Sequence, residues 1–305
     1  MAISVNTNVP SLIAQNSLNR SLSAMEKAMQ QLTTGKRINN AGDDAAGLVI
    51  SENMRVQING SNKAMDNVQD AQNFAAVAEG GMITIGDHLQ RINELLIQGA
   101  NDTNSVESRQ AILVEVKQRL EDINVIAQST QFNGRTMLDG TFGDAGESFI
   151  VQIGPYSDTQ NADNPLNTLD ISGAFTDCHL STLGIGTTTG AAYDGIILPA
   201  ELDPDDPAFD PTGDNFRLYM DTVQAAITEV TEARGLLGGY LNRMTSTYDN
   251  LTITVENMTT AKSRITDTDV AEASSEMIKQ QILEQVSGSM LTQANQLPSL
   301  ALSLI

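Results

Sequence analysis

Apolar residues recur at steps of four and three through most of this chain. The longest run is Val223, Ile227, Val230, Leu237, Leu241, Met244, Tyr248, Leu251, Val255 and Met258, with Arg234 in the one polar slot. Steps averaging 3.5 keep a narrow apolar seam turned toward a partner helix. The run covers 36 residues, or about 54 Å of helix at 1.5 Å per residue. A rod of that length cannot bury its seam alone, and the other end of the chain supplies candidate partners.

A first helix is expected from Ser11, with Leu18, Leu22, Met25, Met29 and Leu32 along its seam and a stop near Gly35. The next segment, Gly35 to Gly47, is not periodic, and Asp43 is the expected cap of the helix after it. That second helix runs to about Gln98 through Met54, Ile58, Met65, Val68, Ala75, Met82, Ile85, Leu89, Ile92 and Leu96. Gly80-Gly81 interrupts it and marks a bend or a phase shift, since glycine costs about 1 kcal/mol per helix position. A short turn precedes a third helix, Val106 to Ser129, so the second and third are expected to be antiparallel neighbours.

After Gln131 the pattern changes. Phe149, Val151 and Ile153 alternate with Ile150, Gln152 and Gly154, a strand signature. Leu166–Ile171 and Ile196–Leu198 are weaker strand candidates, and Glu201–Pro211 reads as an exposed acidic loop. Helix resumes near Arg217 and is broken by the Thr266–Asp269 cluster. Asp267 or Asp269 is expected to cap a last helix through about Leu291, with Met277, Ile278, Ile282, Leu283, Val286 and Met290 on its apolar face. The fold class is therefore mainly α: long helical hairpins and a coiled-coil rod, a small β-rich element, and a central β/loop insertion that makes the helical part discontinuous.

Composition sharpens this. The chain has 305 residues and a formal charge of −21, and residues 136–216 hold 14 Asp or Glu and no Lys or Arg. Such a charge opposes bulk attraction to nucleic acid or to an anionic membrane. No apolar run reaches the length of a membrane span, and no basic-then-apolar leader is visible at the start. Aromatic residues make up 4%, which suits aliphatic seams better than one large core. Cys178 is the single cysteine, so no intrachain disulfide can form.

Candidate chemistry is thin. His88 and His179 have no cysteine or paired carboxylate at a metal spacing and read as surface histidines. Asp203, Asp205, Asp206 and Asp210 do not fit a calcium loop. No catalytic, cofactor or metal site is expected, and the functional content lies in surfaces.

Four segments carry a resemblance. Leu32 to Leu48 (LTTGKRINNAGDDAAGL), Gln131-Phe132-Asn133-Gly134, Ser263 to Asp269 (SRITDTD) and Met290 to Pro298 (MLTQANQLP) resemble bacterial flagellin. The resemblance implies a non-enzymatic subunit that polymerises helically into the flagellar filament and serves motility. The runner-up it leaves is a hook–filament junction protein, which shares the terminal plan. It also implies an inner terminal-helix domain (1–35 and 270–305) and inter-layer links (36–43 and 266–269). A helical rod domain with a small β element (44–175 and 220–265) and a variable acidic surface insertion (176–219) complete the layout.

Polymerisation seams would be Leu18, Leu22, Met25, Met29 and Leu32 with Met277, Ile282, Val286 and Met290. The link would use Lys36, Arg37, Asn39, Asp43 and Asp44. The implied partners are further copies of the chain, an export chaperone at the C-terminal helix, and the filament cap and hook-associated proteins. An animal innate immune receptor would read Arg91, Leu95 and Glu115. The implied location is outside the cell, reached through the flagellar secretion system without a cleaved signal peptide.

Overall fold

The structure is a computed structural model that describes residues 7–142, 147–157, 166–188, 196–197, 202 and 211–302. The chain divides into two compact units, one of residues 1–58 and 255–305 and one of residues 59–254. The helices are α1 (Val9–Thr34), α2 (Ala45–Gly99), α3 (Val106–Ser129), α4 (Gly213–Thr266) and α5 (Val270–Leu302). Short strands lie between α3 and α4: β1 (Gln131–Phe132), β2 (Arg135–Thr136), β3 (Ile150–Gln152), β4 (Thr168–Asp170), β5 (Thr187–Thr188) and β6 (Ile196–Ile197).

In the unit of residues 59–254, α2 buries Ser61, Ala64, Val68, Ala71, Ala75, Ala78, Met82, Ile85, Leu89, Ile92 and Leu96. These positions step three and four without a break. The glycine pair at 80–81 therefore brings no phase shift to the seam, which was one of the two expectations for it. Packing explains Gly81: a Cβ there would meet the Leu138 Cδ1 and Thr130 Oγ1 at 2.8 Å. Gly80 faces open space. Gly80→Ala should therefore raise the melting temperature by about 2–4 °C, the roughly 1 kcal/mol that glycine costs in a helix. Gly81→Ala should lower it, because overpacking costs about 1–3 kcal/mol. Circular-dichroism melts of the two variants check the opposite signs.

Side-chain pairs fix the neighbours of α2. Arg91 bonds Glu115 at 3.2 Å and His88 lies 3.8 Å from Asp122, so α3 runs antiparallel to α2 as expected. Along α4 the contacts Met65–Thr252, Gln69–Tyr248, Gln72–Thr245 and Ala100–Arg217 keep one antiparallel register throughout. The α4 seam holds Phe216, Tyr219, Val223, Ala226, Val230, Ala233, Leu237, Met244 and Leu251. Ala233, not Arg234, occupies the slot that looked polar.

Among the described residues the strands form three separate antiparallel pairs. β1 and β2 turn on Asn133-Gly134, both at positive φ, as a tight hairpin turn of that sequence requires. β3 pairs with β4, Val151 opposite Leu169, and β5 pairs with β6. The expected strand at 149–153 and both weaker candidates contain real strands, each shorter than expected.

The scarcity of aromatics misled about the core here. Five of the seven phenylalanines gather in one place. Phe74 of α2 stacks on Phe149 at 4.4 Å and meets Phe132, Phe142 and Phe175 edge-on. Arg135 lies over the Phe142 ring at 4.7 Å. Cys178 is buried in the same core, and burial pushes its thiol up to about 12.

In the unit of residues 1–58 and 255–305, α1 and α5 pair antiparallel. Their inward positions alternate small and large. α1 contributes Ala14, Leu18, Ser21, Met25, Ala28 and Leu32, and α5 contributes Ala273, Met277, Ser287, Leu291 and Ala294. α5 continues through Pro298 and does not end near Leu291. The acidic loop lies outside the described residues except for Leu202 and Pro211.

Candidate functional site: the terminal helix pair and its link

The link begins where α1 stops at Gly35, in the left-handed conformation. Lys36 forms an antiparallel bridge with Asp267. The Arg37 N–H donates to Thr266 O at 2.7 Å, its guanidinium to Ile265 O at 2.8 Å, and the Thr268 N–H donates to Gly35 O. Two chain segments more than 200 residues apart thus run side by side as a short ribbon.

Asp43 does not cap α2. Its carboxylate accepts the Asn39 and Asn40 N–H groups and pairs with Lys27 at 2.7 Å, while Asp44 takes the cap by accepting the Gly47 N–H. The sequence has two adjacent Asp, and the turn at Asn40 points the first one backward. Asn39 also donates to Lys36 O. Asp269 caps α5 through the Ala271 and Glu272 N–H groups, whereas Asp267 accepts from Ser263.

The hydrogen bond from Lys27, followed by those from the Asn40 and Asn39 backbone, holds the Asp43 carboxyl near 2, below its usual 3.8. A carboxyl depressed in the folded state stabilises it above the unfolded value and loses that effect as pH falls through the folded one. The Asn39 and Asn40 amides should therefore lose protection from hydrogen exchange between about pH 4 and pH 2. In Asp43→Ala they should be unprotected already at pH 5. Exchange followed by mass spectrometry in both proteins checks this.

Of the seam residues expected from sequence, Leu18, Leu22, Met25, Leu32 and Met277 are half-buried between α1 and α5. Met29, Ile282, Val286 and Met290 are half or more exposed. On α5 the residues Ile278, Ile282, Val286 and Met290 form one ridge at i, i+4 spacing, each 52–60% exposed. On α1, Val9, Leu12 and Ile13 are similarly exposed. Between the helices Val9, Pro10, Ile13, Val286, Met290 and Ala294 line an apolar groove of about 480 Å³. A contiguous apolar face of this kind marks an interaction surface.

The structure brings Arg91 and Glu115 together, with Glu94 on the other side of the guanidinium at 3.0 Å. The two carboxylates, Glu94 first, raise the Arg91 pKa. Leu95, expected beside them on the surface, is 3% exposed and belongs to the core.

Sequence reasoning missed Arg109. It sits on the α3 seam, 8% exposed, and donates to Gly99 O, Asn101 O, Pro211 O and the Asp102 carboxylate. Its place in the apolar register of α3, four residues before Leu113, is the signal that could have found it.

Neither histidine is a free surface group. His88 is largely buried, and its Nδ1 has no hydrogen-bond partner. His179 Nδ1 lies 2.6 Å from Asp177, whose other oxygen accepts from Thr182, and its Nε2 lies 3.3 Å from the Gln128 side-chain amide, so among the described residues no hydroxyl takes the place of a nucleophile beside the imidazole. Among the described residues no three His, Cys, Asp or Glu gather to hold a metal ion. No described helix is long and apolar enough to cross a membrane.

Residues 5–143 match the model of the bacterial flagellin N-terminal helical region, and residues 220–305 match that of the bacterial flagellin C-terminal helical region. The chain is 36% identical to the flagellar filament 33 kDa core protein of Treponema phagedenis, over 99% of both chains. It is 37% identical to the flagellin of Bacillus subtilis (strain 168), again over 99% of both. A solved protein of Vibrio parahaemolyticus described as flagellar hook-associated aligns over 74% of this chain and all of that one. Its TM-score is 0.52 at 13% identity, a likeness of fold that gives the junction reading no specific support. Two family models that together match most of the chain, and relatives 36–37% identical over 99% of both chains, lead to one conclusion: the chain belongs to the bacterial flagellin family and is a structural subunit that polymerises into the extracellular flagellar filament.

Proposed function

We propose that polymerisation runs through the apolar ridge of α1 and α5, and that these terminal helices form the inner layer of the filament. The ridge carries the reading. Ile278, Ile282, Val286 and Met290 stand half exposed in the single chain, and neighbouring copies would cover them. In this layout residues 1–35 and 270–305 are the inner domain and residues 36–43 and 266–269 the links. Residues 44–175 and 220–265 form the outer rod domain; of the acidic insertion at 176–219, Cys178, Phe216 and Tyr219 are anchored in the core, and its charged part would face outward. Contacts that repeat without closing build a helical tube, not a ring. The acidic insertion is then placed where salt screens it.

The same ridge is the surface an export chaperone would cover before assembly, and the one that cap and hook-associated proteins would meet at the filament ends. Arg91 and Glu115 remain the exposed groups an innate immune receptor would contact, with Leu95 acting only as packing beneath them.

A cysteine at position 282 tests the ridge directly. Cys178 is buried with its thiol pushed up to about 12, so it reacts slowly. The Ile282→Cys monomer should react quickly with a bulky maleimide, and the filament at least about tenfold more slowly, as burial of a thiol requires. Equal rates would place the ridge outside the polymer contacts.

A further inference from the structure

Pro298 lies inside α5, although proline has no N–H to give the carbonyl four residues earlier. That carbonyl belongs to Ala294, which is buried, with 6% exposure. It is not left bare: the side-chain amide of Asn8 donates to it at 2.7 Å. The Asn8 side-chain oxygen meanwhile accepts the Ser11 N–H and caps α1. Ser11 Oγ reaches Asn295 at 2.8 Å. One asparagine thus serves both helices, capping the first and supplying the bond the second cannot make for itself.

We infer that Asn8 is the positioning residue that sets the register of the two termini, by giving the Ala294 carbonyl the donor that Pro298 lacks. The seam cannot set the register on its own. Ala14, Ser21 and Ala28 recur every seven residues, as do Ser287 and Ala294, so a shift by one repeat still sets most small residues against small ones, with Gln280 the large exception in the series. Polar ties at the two ends discriminate where the seam does not. The bridge Lys36–Asp267 and the bond between Arg37 and Thr266 fix the link end; Asn8 and Ser11 fix the other. A buried carbonyl without a donor is penalised, so the register that satisfies Ala294 is favoured.

The inference rests on the terminal helices being the polymerising layer. Four purified chains test it: the unaltered protein, Asn8→Asp, Pro298→Ala, and the two changes combined. Aspartate still accepts the Ser11 N–H but cannot donate to a carbonyl. Asn8→Asp should raise the critical concentration for filament growth about five- to thirtyfold, the range of one lost buried bond. Pro298→Ala restores an N–H at position 298. In that background the Asn8→Asp penalty should shrink to about twofold or less. Growth of Asn8→Asp like that of the unaltered chain, or an equal penalty in both backgrounds, overturns the inference. Should Pro298→Ala fail to assemble, Asn8→Ala joins Asn8→Asp as the deciding pair, and unaltered growth of both overturns it. A chain lacking residues 270–305 that still polymerises would sink the underlying reading instead.

Discussion

Arg109→Ala should lower the melting temperature of the unit of residues 59–254 by about 10 °C. The guanidinium donates to three backbone carbonyls, Gly99, Asn101 and Pro211. The first closes α2, the second lies just past its end, and the third stands before α4. Helix ends leave carbonyls without intrahelical donors, and a cation there also matches the helix dipole. Removing the side chain strands buried acceptors, at a cost of about 3–4 kcal/mol. For a unit of this size each kcal/mol moves the melting temperature by about 2–4 °C. The ion pair with Asp102 adds little, because Asp102 is 77% exposed. Arg109→Lys keeps the charge but loses the fork, and should recover less than half of the loss. A calorimetric scan of both variants checks the size and the order of the effects. An unchanged transition would mean that helix packing alone holds these three chain ends.

The second large effect concerns assembly. Val286→Asp with Met290→Asp should abolish filament growth while leaving the helicity of the monomer unchanged. Both residues are more than half exposed in the single chain, so the monomer buries little that the change would disturb. In the polymer each new carboxylate would be desolvated without a partner, which costs several kcal/mol. The chain already carries −21, and a further negative pair per subunit adds to its self-repulsion. Salt at about 1 M shortens the screening length to about 3 Å; it would relieve that repulsion but not the desolvation. No pellet at high salt is therefore the expected sedimentation result. Recovery by salt alone would assign the loss to long-range charge and remove the ridge from the contact.

These effects show where the sequence was informative. Long 3–4 runs were legible because large aliphatic side chains dominate them, and the extent of α3 from Val106 to Ser129 followed directly. Most seam positions filled by alanine were not legible, since Ala64, Ala71, Ala78, Ala226 and Ala233 look the same on a surface as in a core. The glycine pair at 80–81 was misread as a break because its cause, Thr130 and Leu138, lies some fifty residues away.

The phenylalanine cluster was hidden for the same reason: Phe74 and Phe175 touch only after the strands fold back on α2. At the site, the residues of the link could be named from the resemblance, but not their roles. Asp43 and Asp44 are equivalent as text, and only the turn at Asn39-Asn40 separates the anchor from the cap. The last helix was expected to end near Leu291, and nothing local reveals that Asn8, almost 300 residues earlier, supplies the donor that Pro298 lacks.

The most direct measurement is seeded assembly of two chains, the full protein and one lacking residues 270–305. Each is followed by sedimentation and negative-stain microscopy with filament fragments as seeds. Polymerisation through the terminal helices predicts long tubes from the full chain and none from the truncated one. Tubes from both chains would contradict it and move the polymer contacts to the unit of residues 59–254.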